Sequence, residues 1–224
     1  LRSGKARRHP GWACYHTDLY DFMQDGTPLG IIGCAVGGSF AVLLAEELFA
    51  SGCRLLISMT SAGQIVPIRK PPYHVLIDRA LRDEGTSYHY LPPSRFAHLP
   101  ERLLEPLHHL LADPSLALER GASWTTDAPF RETQQAIAFA EAQGILAVEM
   151  EAASLYAFAE ARQRPVVCFA HITNQMARIE GDFEKGQADG SVDSLRLVGL
   201  VARGWLSKAQ DGWKLEAAQD RTAE

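Results

Sequence analysis

"GILAVEMEAASLYAFAEA", Gly144–Ala161, joins a short apolar run to an amphipathic helical pattern. The run Ile145–Met150 is apolar through Val148 and then delivers two carboxylates, Glu149 and Glu151, with Met150 between them. A continuous apolar strand suits a sheet covered on both faces. A strand passing directly into a helix is the building unit of an α/β fold. A glutamate in the first turn of a helix gains ~0.3–1 kcal/mol from the helix dipole. That explains one carboxylate. It explains a second less well, because Glu149 still lies on the buried strand, where an unpaired charge is costly. A carboxylate facing a pocket has other uses: it accepts two hydrogen bonds from a vicinal diol, or it stabilises a cationic transition state.

The same alternation extends in both directions. Strands are expected at Leu29–Val36, Cys53–Gly63, His74–Leu81, Leu118–Thr126, Ile145–Met150 and Arg164–Thr173. Helices are expected at Ser39–Ser51, Glu101–Ala112, Arg131–Gln143, Ala152–Gln163 and Ser194–Ser207. This order predicts an α/β fold with a largely parallel sheet, as a single domain over residues 1–224. Pro67–Pro72 and Pro92–Pro100 read as loops. The polar, glycine-containing stretch Ala177–Val192 reads as a mobile loop before the last helix, and the tail beyond Trp213 as frayed.

Composition narrows the function classes. The chain has 224 residues, 46% hydrophobic and 22% charged, with a formal net charge of -5. Nothing there points to nucleic acid or a membrane surface as partner. The basic run Arg2–Arg8 reads as a solvated tail. No apolar run approaches the ~20 residues that span a bilayer. No signal peptide is visible; the first residue is Leu rather than Met, so residues upstream of it are to be expected. Cys14, Cys34, Cys53 and Cys168 are scattered, without a C-x-x-C pair. A reduced, cytoplasmic setting is expected, with no clustered ligands for a metal.

Several stretches could carry chemistry. In "GCAVGGSFAVLLAEEL", Gly33–Leu48, a glycine pair, Gly37–Gly38, opens a helix. Its amides either hold an anion or only make a tight turn. "SMTSAGQI", Ser58–Ile65, ends a strand in small hydroxyl residues. Thr60, Ser61 and Gly63 either line a pocket at the strand's carboxyl end or cap its last backbone groups. "RDEGTSYHY", Arg82–Tyr90, could be a lid, a subunit contact or a structural turn. In "WTTDAPFRET", Trp124–Thr133, Asp127 is placed like a helix N-cap, with Pro129 near the first helical position and Glu132 in the first turn. Arg131 there could pair with Glu149 or hold a ligand's carbonyl edge.

These stretches, with "VEMEAASLYAFA" and "HITN", resemble the purine-nucleoside and uridine phosphorylase family in order and approximate spacing, over nearly the whole chain. The uridine phosphorylases are the nearest likeness. The resemblance implies a three-layer α/β/α sandwich with a mixed, mostly parallel central sheet, and a homo-oligomer between dimer and hexamer. It implies cleavage of an N-glycosidic bond, with phosphate as nucleophile in phosphorylases and water in nucleosidases. No cofactor is implied beyond inorganic phosphate as co-substrate. By the same resemblance Glu151 matches the glutamate that holds the ribose 2′- and 3′-hydroxyls, Met150 the methionine under the sugar, and Glu149 its flanking glutamate. Arg131 matches an arginine at the base, and Gly63 lies on the base-binding turn. Ser61 falls on a phosphate-contacting threonine, with Gly37 and Gly38 nearby. Asn174 falls where purine enzymes keep a general-acid aspartate; an amide cannot donate a titrating proton, which tilts the expectation toward a uridine-like base.

The departures concern phosphate. Ser58 and Tyr15 stand where the family has arginines, and the family's Gly-Asp-Pro-x-x-Arg segment has no counterpart in these residues. Each charge-assisted bond to a dianion is worth about 1.5–3 kcal/mol, so their loss matters. Arg7, Arg8 or Arg82 could substitute. The expectation is therefore a nucleoside phosphorylase; the alternatives are a nucleosidase using water, or a nucleoside-binding protein with little turnover.

Overall fold

A computed structural model describes residues 4–174 and 186–209. Nine strands are described: β1 (Ala6–Arg8), β2 (Leu19–Gln24), β3 (Thr27–Ile32), β4 (Leu56–Gln64), β5 (Tyr73–Asp83), β6 (Phe96–His98), β7 (Leu118–Thr126), β8 (Ile145–Glu149) and β9 (Val166–Asn174). The α-helices are α1 (Gly38–Ala50), α2 (Glu101–Leu104), α3 (His108–Leu111), α4 (Gln134–Ala142), α5 (Ala152–Ala161) and α6 (Ser191–Ala209). The expected loop Ala177–Val192 falls mostly, and the tail beyond Trp213 wholly, outside the described residues. Of that loop, Gln187–Gly190 form a 3-10 turn and Ser191 already starts α6.

The fold is mixed α/β, but the expected flat layer is not what forms. Strands β5, β7 and β8 run parallel, as do β4 and β9. Two antiparallel seams join the blocks, β8 to β4 at one side and β9 to β5 at the other. The five strands therefore close into a barrel, with β6 added to β5 as an edge. Register shifts at Ala62/Gly63, Ile77/Arg79 and Ala122/Ser123 supply the curvature, since an irregularity bends a strand and increases its twist. The three-layer sandwich is corrected accordingly.

Helix α5 is the central pillar. Ala152 through Ala159 are all buried, so the helix is apolar around its whole circumference, as a helix wedged between other elements must be. It packs on α1, β5 and β9. Close approach to α1 requires glycine at Gly38, where a Cβ would lie 2.1 Å from Ser154 Oγ. On the barrel's other side Trp124, Ile145 and Val148 pack under Ala140 of α4.

Several element expectations shift for local reasons. Pro106 lacks an amide hydrogen and breaks the expected helix Glu101–Ala112 into α2, a 3-10 turn and α3. The expected helix from Arg131 starts at Gln134 instead, where Thr133 caps it by accepting from Ala136 N. Asp127 is therefore not the N-cap. The expected strand Leu29–Val36 becomes β3 and lies outside the barrel, in an antiparallel meander β1–β2–β3. Its hairpin turn is Asp25–Gly26, both at positive φ, which matches the right-handed twist of the strands it joins.

Candidate active site

Glu149 ends β8 with its side chain only 3% exposed. Its Oε1 accepts from Ser123 Oγ at 3.0 Å and Thr125 Oγ1 at 2.5 Å, both on β7. Its Oε2 accepts from the backbone N–H groups of Glu151 and Ala152, each at 2.7 Å. It is thus Glu149 that caps the N-terminus of α5. Four donors fill the acceptor sites of one carboxylate, leaving none for a ligand. The expectation that Glu149 touches ribose, or pairs with Arg131, is corrected on this ground. Burial and the neighbouring Glu151 charge push its pKa up to about 7, while Thr125 and the two amides pull the other way.

Glu151 follows at the helix cap, 6% exposed. Its Oε1 accepts from Gly37 N at 2.7 Å and its Oε2 from Thr60 Oγ1 at 2.8 Å. Each oxygen keeps acceptor capacity. This carboxylate closes one end of a cavity of about 780 Å3, shared with Gly33, Cys34, Ser58 and Thr60. The alternation Glu–Met–Glu thus separates two roles: one carboxylate faces inward to the strand and helix backbone, the other faces the cavity. Met150 lies half-buried between them.

The barrel brings further expected residues to the same end. Gly63 sits at the β4 irregularity, opposite Val148 of β8 and Asn174 of β9. Asn174 is half-buried at the strand's last position. Ser61 is exposed and its Oγ lies 3.3 Å from Thr173 Oγ1. Arg131 lies exposed on the 3-10 turn Pro129–Arg131, and no contact with a described residue ties its guanidinium to this group.

The expected phosphate ligands are differently employed. The Gly37 amide is already taken by an anion, the Glu151 carboxylate, and Gly38 is buried beneath Ser154. Arg82 is 5% exposed and spends its donors on the chain: Nε on Ser87 Oγ, Nη1 on Pro92 O and Ser94 Oγ, Nη2 on Leu91 O. Its guanidinium also lies 4.2 Å from the centre of the Tyr88 ring. Arg82 holds the Glu84–Ser94 loop and is withdrawn as a phosphate ligand. Glu84 joins Ser154 and the Ser87 amide, and Asp127 accepts from Gly85 N, so "RDEGTSYHY" is a structural turn. Arg7 and Arg8 pair with Asp21 and Asp18 at 3.6 and 2.5 Å. Tyr15 is 60% exposed beside Phe40. Among the described residues Arg54 is the arginine that lines the cavity, and it lies before the start of β4, six residues ahead of Thr60.

Sequence reasoning passed over Ser123 and Thr125. Their signal was present: two hydroxyl residues of the same parity on a buried strand point to one face and need a polar partner there.

A model of the phosphorylase superfamily matches residues 5–199. The chain belongs to the phosphorylase superfamily. Its fold is similar to that of solved structures. Uridine phosphorylase from Vibrio fischeri ES114, solved with 6-hydroxy-1-naphthoic acid, superposes with a TM-score of 0.74 at 21% identity, covering 91% of this chain and 83% of that one. Purine nucleoside phosphorylase from Toxoplasma gondii, solved with immucillin-H, gives 0.74 at 14% identity, over 90% and 82%. The uncharacterised protein R802 of Acanthamoeba polyphaga mimivirus is 29% identical over 124 residues, 55% of this chain. The chain thus spans about half, 47%, of the length of that curated relative.

Proposed function

We propose that this superfamily member cleaves the N-glycosidic bond of a ribonucleoside with phosphate, giving free base and ribose 1-phosphate. The observation that carries the proposal is Glu151: a carboxylate at a helix N-terminus, facing a cavity, with spare acceptor capacity on both oxygens. The 2′- and 3′-hydroxyls of ribose would donate to it. As the C1′–N bond breaks, its electron pair leaves with the base, and the sugar gains oxocarbenium character near that fixed negative charge. A phosphate oxygen then bonds C1′. Met150 packs under the sugar, Gly63 and Asn174 meet the base, and Arg131 approaches it from the exposed turn. An asparagine hydrogen-bonds a base carbonyl without titrating, which favours a uridine-like base. Ser61 is the hydroxyl nearest the phosphate. The working form is a homo-oligomer in the cytoplasm.

A second reading is hydrolysis, with water in place of phosphate. It is favoured by Arg82 being committed to its own loop and by Ser58 standing on the cavity-facing strand. Product analysis separates the two, since phosphorolysis yields ribose 1-phosphate and hydrolysis yields free ribose. Saturation by phosphate with stoichiometric ribose 1-phosphate supports the first reading; phosphate-independent release of free ribose supports the second. Turnover of no nucleoside under either condition contradicts both.

A further inference from the structure

Helix α6 divides two cavities. Ser194, Leu195 and Val198 line the large one that ends at Glu151. Asp193, Arg196 and Leu197 close a second, of about 90 Å3, against His74 of β5. One contact ties the helix to the barrel between them: Ser194 Oγ lies 3.0 Å from His74 Nε2. His74 is 5% exposed and stacks on His171 of β9, 8% exposed, with ring centres 4.7 Å apart. Register produces the stack. The two residues are directly opposite in the antiparallel seam of β5 and β9, so both side chains leave the same face of the barrel.

Two buried imidazoles in contact do not both hold a proton, and even one cation there is removed from water. The groups that face His74 offset this only in part. α6 brings Asp193, which favours the proton, and Arg196, whose guanidinium is occupied by Ser115 O and Oγ. β9 brings His171, which opposes the proton. Ser115–Leu118, the segment leading into β7, carries no titratable side chain. Burial first, and then His171, lower His74 from 6.5 to about 4.

We infer that the stacked histidine pair is an acid-sensitive latch on α6: neutral, it holds the helix's first turns shut over the barrel; protonated, it lifts them and opens that side of the Glu151 cavity. The strands beneath His74 are fixed by their own ladders, so its cover is the part that can move to let water reach the charge. α6 is suited to this. Ser191, Asp193 and Arg196 are exposed and the first fully buried side chain is Leu197, so few apolar contacts hold the opening turns. Linkage gives the direction. An uncovered His74 protonates near 6.5 and the covered one near 4, so the latch is fully effective above 6.5 and weakens as pH falls toward 4. At about pH 5, opening is favoured about 30-fold over its value at about pH 7.5.

The latch does not depend on the proposed reaction, and its test needs no nucleoside. Amide exchange is followed in the native chain from about pH 7.5 to about pH 4.5, as protection relative to the intrinsic rate at each pH. Protection at Leu195–Val198 of α6 should fall about 30-fold between about pH 7.5 and about pH 5, starting near 6.5, while Phe169 in the middle of β9 changes far less. His74→Gln keeps a hydrogen-bonding group for Ser194 and takes up no proton, so it should hold α6 protection level across that range. Ser194 is half-buried at the helix surface, and Ser194→Ala should lower protection at Leu195–Val198 by about 2- to 10-fold already at neutral pH, the worth of one hydrogen bond. No fall in the native chain, a fall confined to the carboxylate range below about pH 5, an equal fall at Phe169, the same fall in His74→Gln, or unchanged protection in Ser194→Ala each overturns the latch. If His74→Gln does not fold, the onset pH and the contrast with Phe169 in the native chain decide.

Discussion

Strands β4 and β9 lie side by side in parallel register from Leu56–Val166 to Gly63–Asn174, and both are rich in apolar residues. Yet β9 is buried at every position but its last, whereas β4 is half-exposed from Leu56 to Thr60. The difference is in their neighbours. β9 is flanked by β4 and β5, while β4 has β9 on one edge and meets β8 only at Gly63 and Gln64. Apolar sequence alone does not bury a strand; covered edges and faces do. The closed side of the barrel holds Glu149 and its four donors, and the open side borders the Glu151 cavity.

The largest expected effect contrasts isoleucines on the two strands. Ile172→Ala on β9 should cost about 2–5 kcal/mol, as for other fully buried large-to-small changes. Ile57→Ala on β4 should cost about 1 kcal/mol, because that side chain is only partly removed from water. Urea unfolding of both variants measures this, and equal costs would break the contrast.

Glu149→Gln comes next. The amide retains one acceptor oxygen and turns N–H donors toward groups that are themselves donors, so a loss of about 2–3 kcal/mol is expected. The matching change at the open side, Thr60→Val, removes one bond from Glu151 and should cost about 1 kcal/mol. A reversed order in chemical denaturation would mean that Glu149 does not anchor the junction.

In the native chain the smallest net effect is a pH profile. Glu149 is raised from 4.5 to about 7, so between those values the native state holds the extra proton and its stability falls as pH rises. His74, on β5, is lowered from 6.5 to about 4 by burial and then by the charge of His171 stacked 4.7 Å away. Between about 4 and 6.5 the unfolded state holds that proton, so this contribution is full above 6.5 and is lost as pH falls. The two slopes, about 1.4 kcal/mol per pH unit each, oppose one another where the windows overlap. The native chain should show little net slope there from this pair. His74→Gln should uncover a falling stability with rising pH, and Glu149→Gln a rising one. Flat profiles in both variants would contradict the assignments.

The sequence made the barrel's strands legible where the apolar runs were long. Leu118–Thr126 is β7 residue for residue, and the Ile145 strand and Ala152 helix start where expected. Closure was not legible, because it depends on β5 meeting β9 and on bends at three irregular positions. β2, "LYDFMQ", was missed although Asp25–Gly26 after it is a strong hairpin signal. At the site, residue types were legible and partners were not. Glu151 meets Gly37 across 114 positions of sequence, and Arg82 is consumed by a loop that could equally have been a lid. A charged residue near a pocket reveals its role only once its own hydrogen bonds are known.

The central claim is that Glu151, held in place by the Glu149 cap, binds a sugar diol. The most direct test is the dissociation constant of uridine and of 2′,3′-dideoxyuridine for the native chain and for Glu151→Gln. The native chain should prefer the ribonucleoside by about 100- to 10,000-fold, in line with two charge-assisted hydrogen bonds, and Glu151→Gln should lose most of that preference while binding the dideoxy analogue almost unchanged. Equal weakening of both ligands would contradict the diol role and leave Glu151 as a tie between the Gly37 turn and β4.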